Sequence, residues 1–190
     1  MKWIRLGIIW FFVWLVIATL YAPDDYSSIT FLISDLATDY HPYDFLMTIG
    51  FIGYGVIYFI GVYDMYTKKI TNTFLLSLII LSALSMILIG IFDTNYLSND
   101  IPVYHRTLSL HSVFAGGQEA LFITIILYHI IQSLGTMKKI HIMFLVLSVI
   151  FSMIFLIVDS IGLFQRLIFI NNGLWTLLFF NKFQFKEKSA

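Results

Sequence analysis

The stretch YHRTLSLHSVFAGGQEALF, Tyr104–Phe122, sets two histidines, a glutamine and a glutamate in an otherwise apolar run. On a helix, His105, Ser112 and Glu119 recur every seven residues and form one stripe, with His111 and Gln118 forming a second beside it. Arg106 points away, and Val113, Phe114 and Leu121 lie outside the polar sector. Two kinds of chemistry suit such a set. In the first, His111 is a general base oriented by Asp93 or Glu119, and Arg166 in GLFQRL stabilises an anionic phosphate. In the second, His105, His111 and Asp93, with Asp159 or Asp35, make a His/carboxylate zinc site. The His-x5-His spacing puts the two rings on different flanks of the sector, unlike the i, i+4 pair of zinc-binding helices. Ser34, Asp35, Gln118, Gln165 and Asp159 are the candidate substrate-binding groups.

These groups must be positioned by membrane helices. Of 190 residues, 59% are hydrophobic and only 12% charged, about half the charged share of a soluble domain. So much apolar surface on so short a chain cannot be hidden from water. Six runs approach the roughly 20 apolar residues that cross a bilayer: Trp3–Tyr21, Phe45–Tyr66, Thr73–Phe92, Val103–Ser133, Ile142–Val158 and Gly162–Phe180. The expected fold is an all-α, polytopic six-transmembrane-helix bundle forming a single membrane domain over residues 1–190. The first run follows Lys2 and Arg5 but is too long for a signal-peptide core, so it reads as a retained anchor. The absence of cysteine removes disulfides and thiolate chemistry. Zero net charge gives no reason to expect a nucleic-acid partner; the bilayer is the expected partner, and a lipid-like ligand an optional one.

Charge placement orients the bundle. Lys2, Arg5, Lys68, Lys69, Lys138, Lys139, Lys182, Lys186 and Lys188 fall on one side of the spans, which places both termini in the cytoplasm and the chain in the cell membrane. Most acidic residues fall at the other, outer end. There the longest connector, Ala22–Asp44, contains SSITFLISDLAT, whose alternation fits a short interfacial helix capped by Ser28 or Asp25 and lying over the bundle as a lid. Ser82 and Ser148 each stand eleven residues before an aspartate, Asp93 and Asp159, a spacing that hints at related hairpins.

Glu119 is the costliest of these groups, because a carboxylate in mid-membrane needs a partner, water or a proton. Arg166 is the expected partner. Asn172 and Thr176 share a face of the sixth span with Gln165 and are expected to bond between helices. His129 and His141 read as interfacial anchors at the inner end. A haem bundle needs paired histidines on facing helices, and the fourth-span histidines have no evident partners, so haem is not expected.

Four motifs carry a resemblance. YSSITFLISDLAT in the first outer loop, GIFDTN ending the third span, HRTLSLHSVFAG opening the fourth and GLFQRL opening the sixth resemble the uncharacterised prokaryotic membrane family known as domain of unknown function 998. The likeness implies a six-span fold and a polar cluster, and no reaction. Asp93 stands where that family's third span usually ends in proline. Ser34, Asp35, Asp93, His105, His111, Gln165 and Arg166, the residues in these motifs, all map to the outer half.

Three functions compete. One is a hydrolase or transferase acting on a lipid-like substrate. A second is a small proton-coupled transporter, weakened by the apolar Phe122, Ile125 and Ile126 between Glu119 and His129. The third is a non-catalytic accessory or sensing subunit, which predicts that every polar group of the cluster is satisfied internally.

Overall fold

A computed structural model describes residues 2–38, 42–69, 72–92, 109–158 and 160–180. Among them are six α-helices: α1 (Lys2–Leu20), α2 (Phe45–Thr67), α3 (Thr73–Ile91), α4 (Leu110–Gln132), α5 (Gly135–Phe155) and α6 (Ile161–Phe179). The described residues contain no strand. Helices α1 to α5 are long and apolar enough to cross a membrane. The sixth is 19 residues long but is interrupted by Gln165, Arg166, Asn171 and Asn172.

Each helix packs against its neighbours in sequence, and α6 returns to α1. Short connectors force antiparallel pairing of α2 with α3, α4 with α5 and α5 with α6, and the sequential contacts, closed by α6 against α1, arrange the helices in a ring. Stacking of Phe11 on Phe169, with ring centroids 4.8 Å apart, helps close it between α1 and α6. The tightest seam is α2 against α3. At Gly55 a Cβ would come within 2.5 Å of the Ala83 carbonyl oxygen, so only glycine lets these backbones approach, as small residues do in membrane interfaces. By contrast, large side chains along α5, among them Met143, Val146, Ile150 and Met153, are exposed.

Helix ends differ from the sequence expectation where the chain leaves the apolar run. Helix α4 begins at Leu110 rather than Val103, because Ser109 is its N-cap and accepts the Ser112 N–H at 3.1 Å. A serine side chain that satisfies an otherwise orphaned donor is a strong start signal, and Val103 lies outside the described residues. Helix α5 begins at Gly135, seven residues before the expected Ile142. Apolarity marks the part of a helix in lipid, whereas Thr136–Ile140 continue it as ordinary helix formers. Only Ser133 and Leu134 separate α4 from α5, and Gly135 supplies the left-handed φ of 58° that starts the second helix.

The first connector carries less helix than its alternation suggests. Instead of an amphipathic helix it holds turns and one four-residue 3-10 helix, Ser34–Ala37, all four residues of which are buried. Neither expected cap acts as one: Ser28 contributes its carbonyl to another contact described below, and Asp25 is exposed.

Replacing Gly55 with valine should destabilise the protein by about 1–3 kcal/mol through overpacking against a backbone atom that cannot rotate away. Thermal unfolding in detergent would register it, and an unchanged melting temperature would contradict the close α2–α3 seam.

Candidate functional site

Arg166 is the most heavily engaged side chain at the end of the bundle that carries the first connector. Its Nη1 donates to the carbonyls of Ser28 (2.9 Å), Phe31 (2.9 Å) and Gly162 (3.1 Å), and its Nη2 donates to the Tyr26 hydroxyl. The Tyr26 hydroxyl in turn donates to the Leu32 carbonyl at 3.2 Å. Burial holds this phenol above its ordinary pKa, although Arg166 opposes the rise. Beside it, Gln165 Oε1 accepts the Ile33 N–H at 2.5 Å, and the Leu163 N–H donates to the Ile29 carbonyl at 2.9 Å. A Cβ on Gly162 would collide with the Phe31 carbonyl. Together GLFQRL forms a clamp on residues 26–33. Arg166 is therefore not the partner of Glu119. A guanidinium with its donors in a fixed fork fits several carbonyls at once, and the loop backbone offers them.

The other outer-loop residues are also structural in their contacts. Asp35 is buried and its Oδ2 accepts the Leu32 N–H at 2.6 Å, closing the turn before the 3-10 helix. Ser34 is buried within that helix. His111 is buried at the start of α4 with Nδ1 2.8 Å from the Phe92 carbonyl at the end of α3. A carbonyl can only accept, so this nitrogen carries the proton, and the ring ties α4 to α3. His105, Asp93 and Asp159 lie outside the described residues. Within the helix, the predicted double stripe is thus carried by Ser112 and Glu119 and by His111 and Gln118. Among the described residues no three His, Asp or Glu side chains group as a metal site.

Deeper in the ring, α3 to α6 share a polar cluster centred on Glu119. With α4 starting at Leu110, Glu119 lies about 14 Å along the helix at ~1.5 Å per residue. Asn172 Nδ2 donates to Glu119 Oε2 at 2.8 Å. Ser148 Oγ donates to Asn172 Oδ1 at 2.9 Å. Asn171 Nδ2 donates to Ser148 Oγ at 2.8 Å and to the Phe144 carbonyl at 3.1 Å. Thr176 Oγ1 donates back to the Asn172 carbonyl at 2.8 Å, within α6 itself. Gln118 turns the other way, its Nε2 donating to Ser82 Oγ at 2.8 Å. The two serines singled out by their spacing, Ser82 and Ser148, thus each receive an amide from the helix that follows in their hairpin. Three buried oxygens of this region have no hydrogen bond: Glu119 Oε1, Gln118 Oε1 and Ser152 Oγ. Each would cost about 1–3 kcal/mol if left so.

Below this cluster, Phe122, Ile125 and Ile126 are buried. Beyond them His129 and His141, expected as interfacial anchors, are almost fully enclosed, at 1% and 0% exposure. Their ring centroids are 5.9 Å apart, and Trp175 Nε1 donates to His141 Nδ1 at 3.0 Å. The expectation that α4 histidines lack partners on facing helices is corrected here. Part of the signal was available: Ser133 and Leu134 form the turn, with His129 four residues before it and His141 seven after, so an antiparallel hairpin brings both to the same end of the pair.

Arg166→Ala should release the clamped segment and expose Tyr26–Phe31 to chymotrypsin, with cleavage at least tenfold faster than in the unmodified protein if about 1.5–3 kcal/mol of charged hydrogen bonding is lost. Arg166→Lys should fail to restore protection, since a point charge cannot reach several carbonyls and a phenol together. Equal cleavage rates in all three proteins would contradict the clamp.

Against known proteins, no curated protein and no solved structure matches the chain. One family model matches residues 6–181, that described as "Protein of unknown function (DUF998)". The match takes in α2 to α6, most of α1 and both polar clusters, and with the apolar helices it makes this all-helical chain an integral membrane protein belonging to the DUF998 family.

Proposed function

We propose that this chain is a single multi-pass domain of the cell membrane, with both termini in the cytoplasm, whose Glu119 cluster binds the polar end of a lipid-like ligand from the outer half of the bilayer. The observation that carries this reading is the set of buried oxygens without hydrogen bonds. A purely structural knot of polar residues in lipid should satisfy itself, because nothing else in the hydrocarbon can. Glu119 instead spends one oxygen on Asn172 and keeps the other unbonded. A ligand that supplies the missing partner relieves that cost on binding.

The carrier reading gains less from the structure. Buried Phe122, Ile125 and Ile126 separate the Glu119 cluster from the His129–His141 pair, which leaves an apolar interval rather than a chain of proton-holding groups. Catalysis on the ligand, as in a hydrolase or transferase, would start from Glu119 as acid or base. His111 would contribute through the ring nitrogen not held by Phe92, and Arg166 through placing the loop.

Two measurements test this. Native mass spectrometry of the gently solubilised protein should find a bound amphiphile, and Glu119→Ala should retain at least tenfold less of it, the loss expected from removing about 1.5–3 kcal/mol of charge-assisted bonding. Equal retention would refute the site. For orientation, the chain has no cysteine, so Asp24→Cys and Thr136→Cys each place a unique thiol at one end of the ring. A membrane-impermeant maleimide applied to intact cells should label the first and not the second; the reverse pattern would invert the topology.

A further inference from the structure

The hydrogen-bond inventory around Glu119 narrows the chemistry of the ligand, given the binding reading above. Two of the unsatisfied atoms, Gln118 Oε1 and, with the carboxyl ionised, Glu119 Oε1, can only accept. The third, Ser152 Oγ, can donate or accept. The amide donors of the region are already directed inward, Gln118 Nε2 to Ser82 and Asn172 Nδ2 to Glu119 itself. Among the described residues no cation pairs with Glu119. Arg166 is committed to Ser28, Phe31, Gly162 and Tyr26, while Lys68, Lys69, Lys138 and Lys139 stand at the opposite end of the bundle. A phosphate or carboxylate brought here would face the Glu119 carboxylate with no positive charge from the described residues between them, a costly arrangement in a site shielded from water.

We infer that the ligand's head presents an N–H or O–H donor, an ammonium or a hydroxyl, to Glu119 Oε1, and carries no anionic group at that contact. Access is along the membrane-facing side of α4. Ser112, Gly116 and Ala120 are exposed there, and a Cβ built on Gly116 or Gly117 meets no atom within 4 Å. An alkyl chain lying on this side would bring its head to Glu119, one turn beyond Gly116, without displacing a large side chain of α4. The adjoining α5 presents Ser152 one turn from Ser148 on the same face, so a head with two donors or a donor and an acceptor would be held from both helices.

Three single-chain probes of equal length separate the alternatives: dodecylammonium, dodecanol and dodecyl phosphate, each added to the full chain in maltoside micelles while thermal unfolding is followed. Dodecylammonium and dodecanol should each raise the melting temperature of the unmodified protein by several degrees, and dodecyl phosphate should not. Glu119→Gln, which preserves shape, should keep the alcohol shift and lose most of the ammonium shift. Glu119→Ala should lose both. A shift with dodecyl phosphate as large as that with dodecylammonium, abolished in Glu119→Ala, would overturn the donor assignment while leaving Glu119 as a ligand site. No shift with any probe would overturn the donor assignment too; if Glu119→Ala also purified with as much amphiphile as the unmodified protein, the binding reading would fall with it. Shifts of equal size in all variants would reflect micelle effects and would overturn the inference as well.

Discussion

The Arg166 guanidinium is the interaction on which the rest of this structure leans. A charged group near the end of an apolar helix is tolerated only where its donors find acceptors, and here they find the backbone of the first connector. The consequence runs in both directions. The connector, which has little regular structure of its own, acquires a fixed path across the start of α6 because four of its carbonyls and amides are taken up by GLFQRL and a fifth contact forms through Tyr26. Helix α6, which is less apolar than the others, is anchored at its first turn to the segment that joins α1 to α2. The aromatic stacking of Phe11 on Phe169 continues that closure deeper in the ring.

With α6 held in place, its polar middle turn meets α4 and α5 at the level of Glu119. Asn171 and Asn172 are adjacent in sequence yet serve a common cluster, because Ser148 lies between their amides and accepts from one while donating to the other. The cluster is cooperative in the sense that each member orients the next: Asn172 Oδ1 is fixed by Ser148, which leaves Asn172 Nδ2 to point at Glu119. Positioning of the carboxyl therefore depends on three helices at once, while its second oxygen is left to something outside them.

Much of this was legible in the residues. The helical spans follow from unbroken apolarity, and the polar sector of the fourth helix follows from seven-residue spacing. The importance of Glu119, Gln118, Gln165 and Arg166 follows from the cost of such groups in lipid. Partner choice was not legible. Arg166 and Glu119 are of opposite charge on the sixth and fourth spans, and charge alone pairs them; but the backbone carbonyls of a loop carry no signature in side-chain composition, and they take up the guanidinium instead. The His129–His141 contact was obscured for a related reason. It depends on a hairpin turn of only two residues, and the lysines at 138 and 139 had suggested a longer aqueous loop. Helix ends depart from the apolar runs wherever a helix outruns its apolar part, as at Gly135, or where a single serine sets the start, as at Ser109.

The link of Ser133 and Leu134 has a mechanical consequence. Helices α4 and α5 are joined at one end by the shortest connection in the described chain, next to a pair of enclosed imidazoles packed on Trp175. At that end they cannot part. At the other, α5 shows broad apolar flanks to the bilayer and α4 lines up serine, glycine and alanine. The pair is built like tweezers with the pivot at the histidines. Thermal motion that separates the tips would part the helices at the level of Glu119 and leave the pivot shut, so such opening would face one leaflet only.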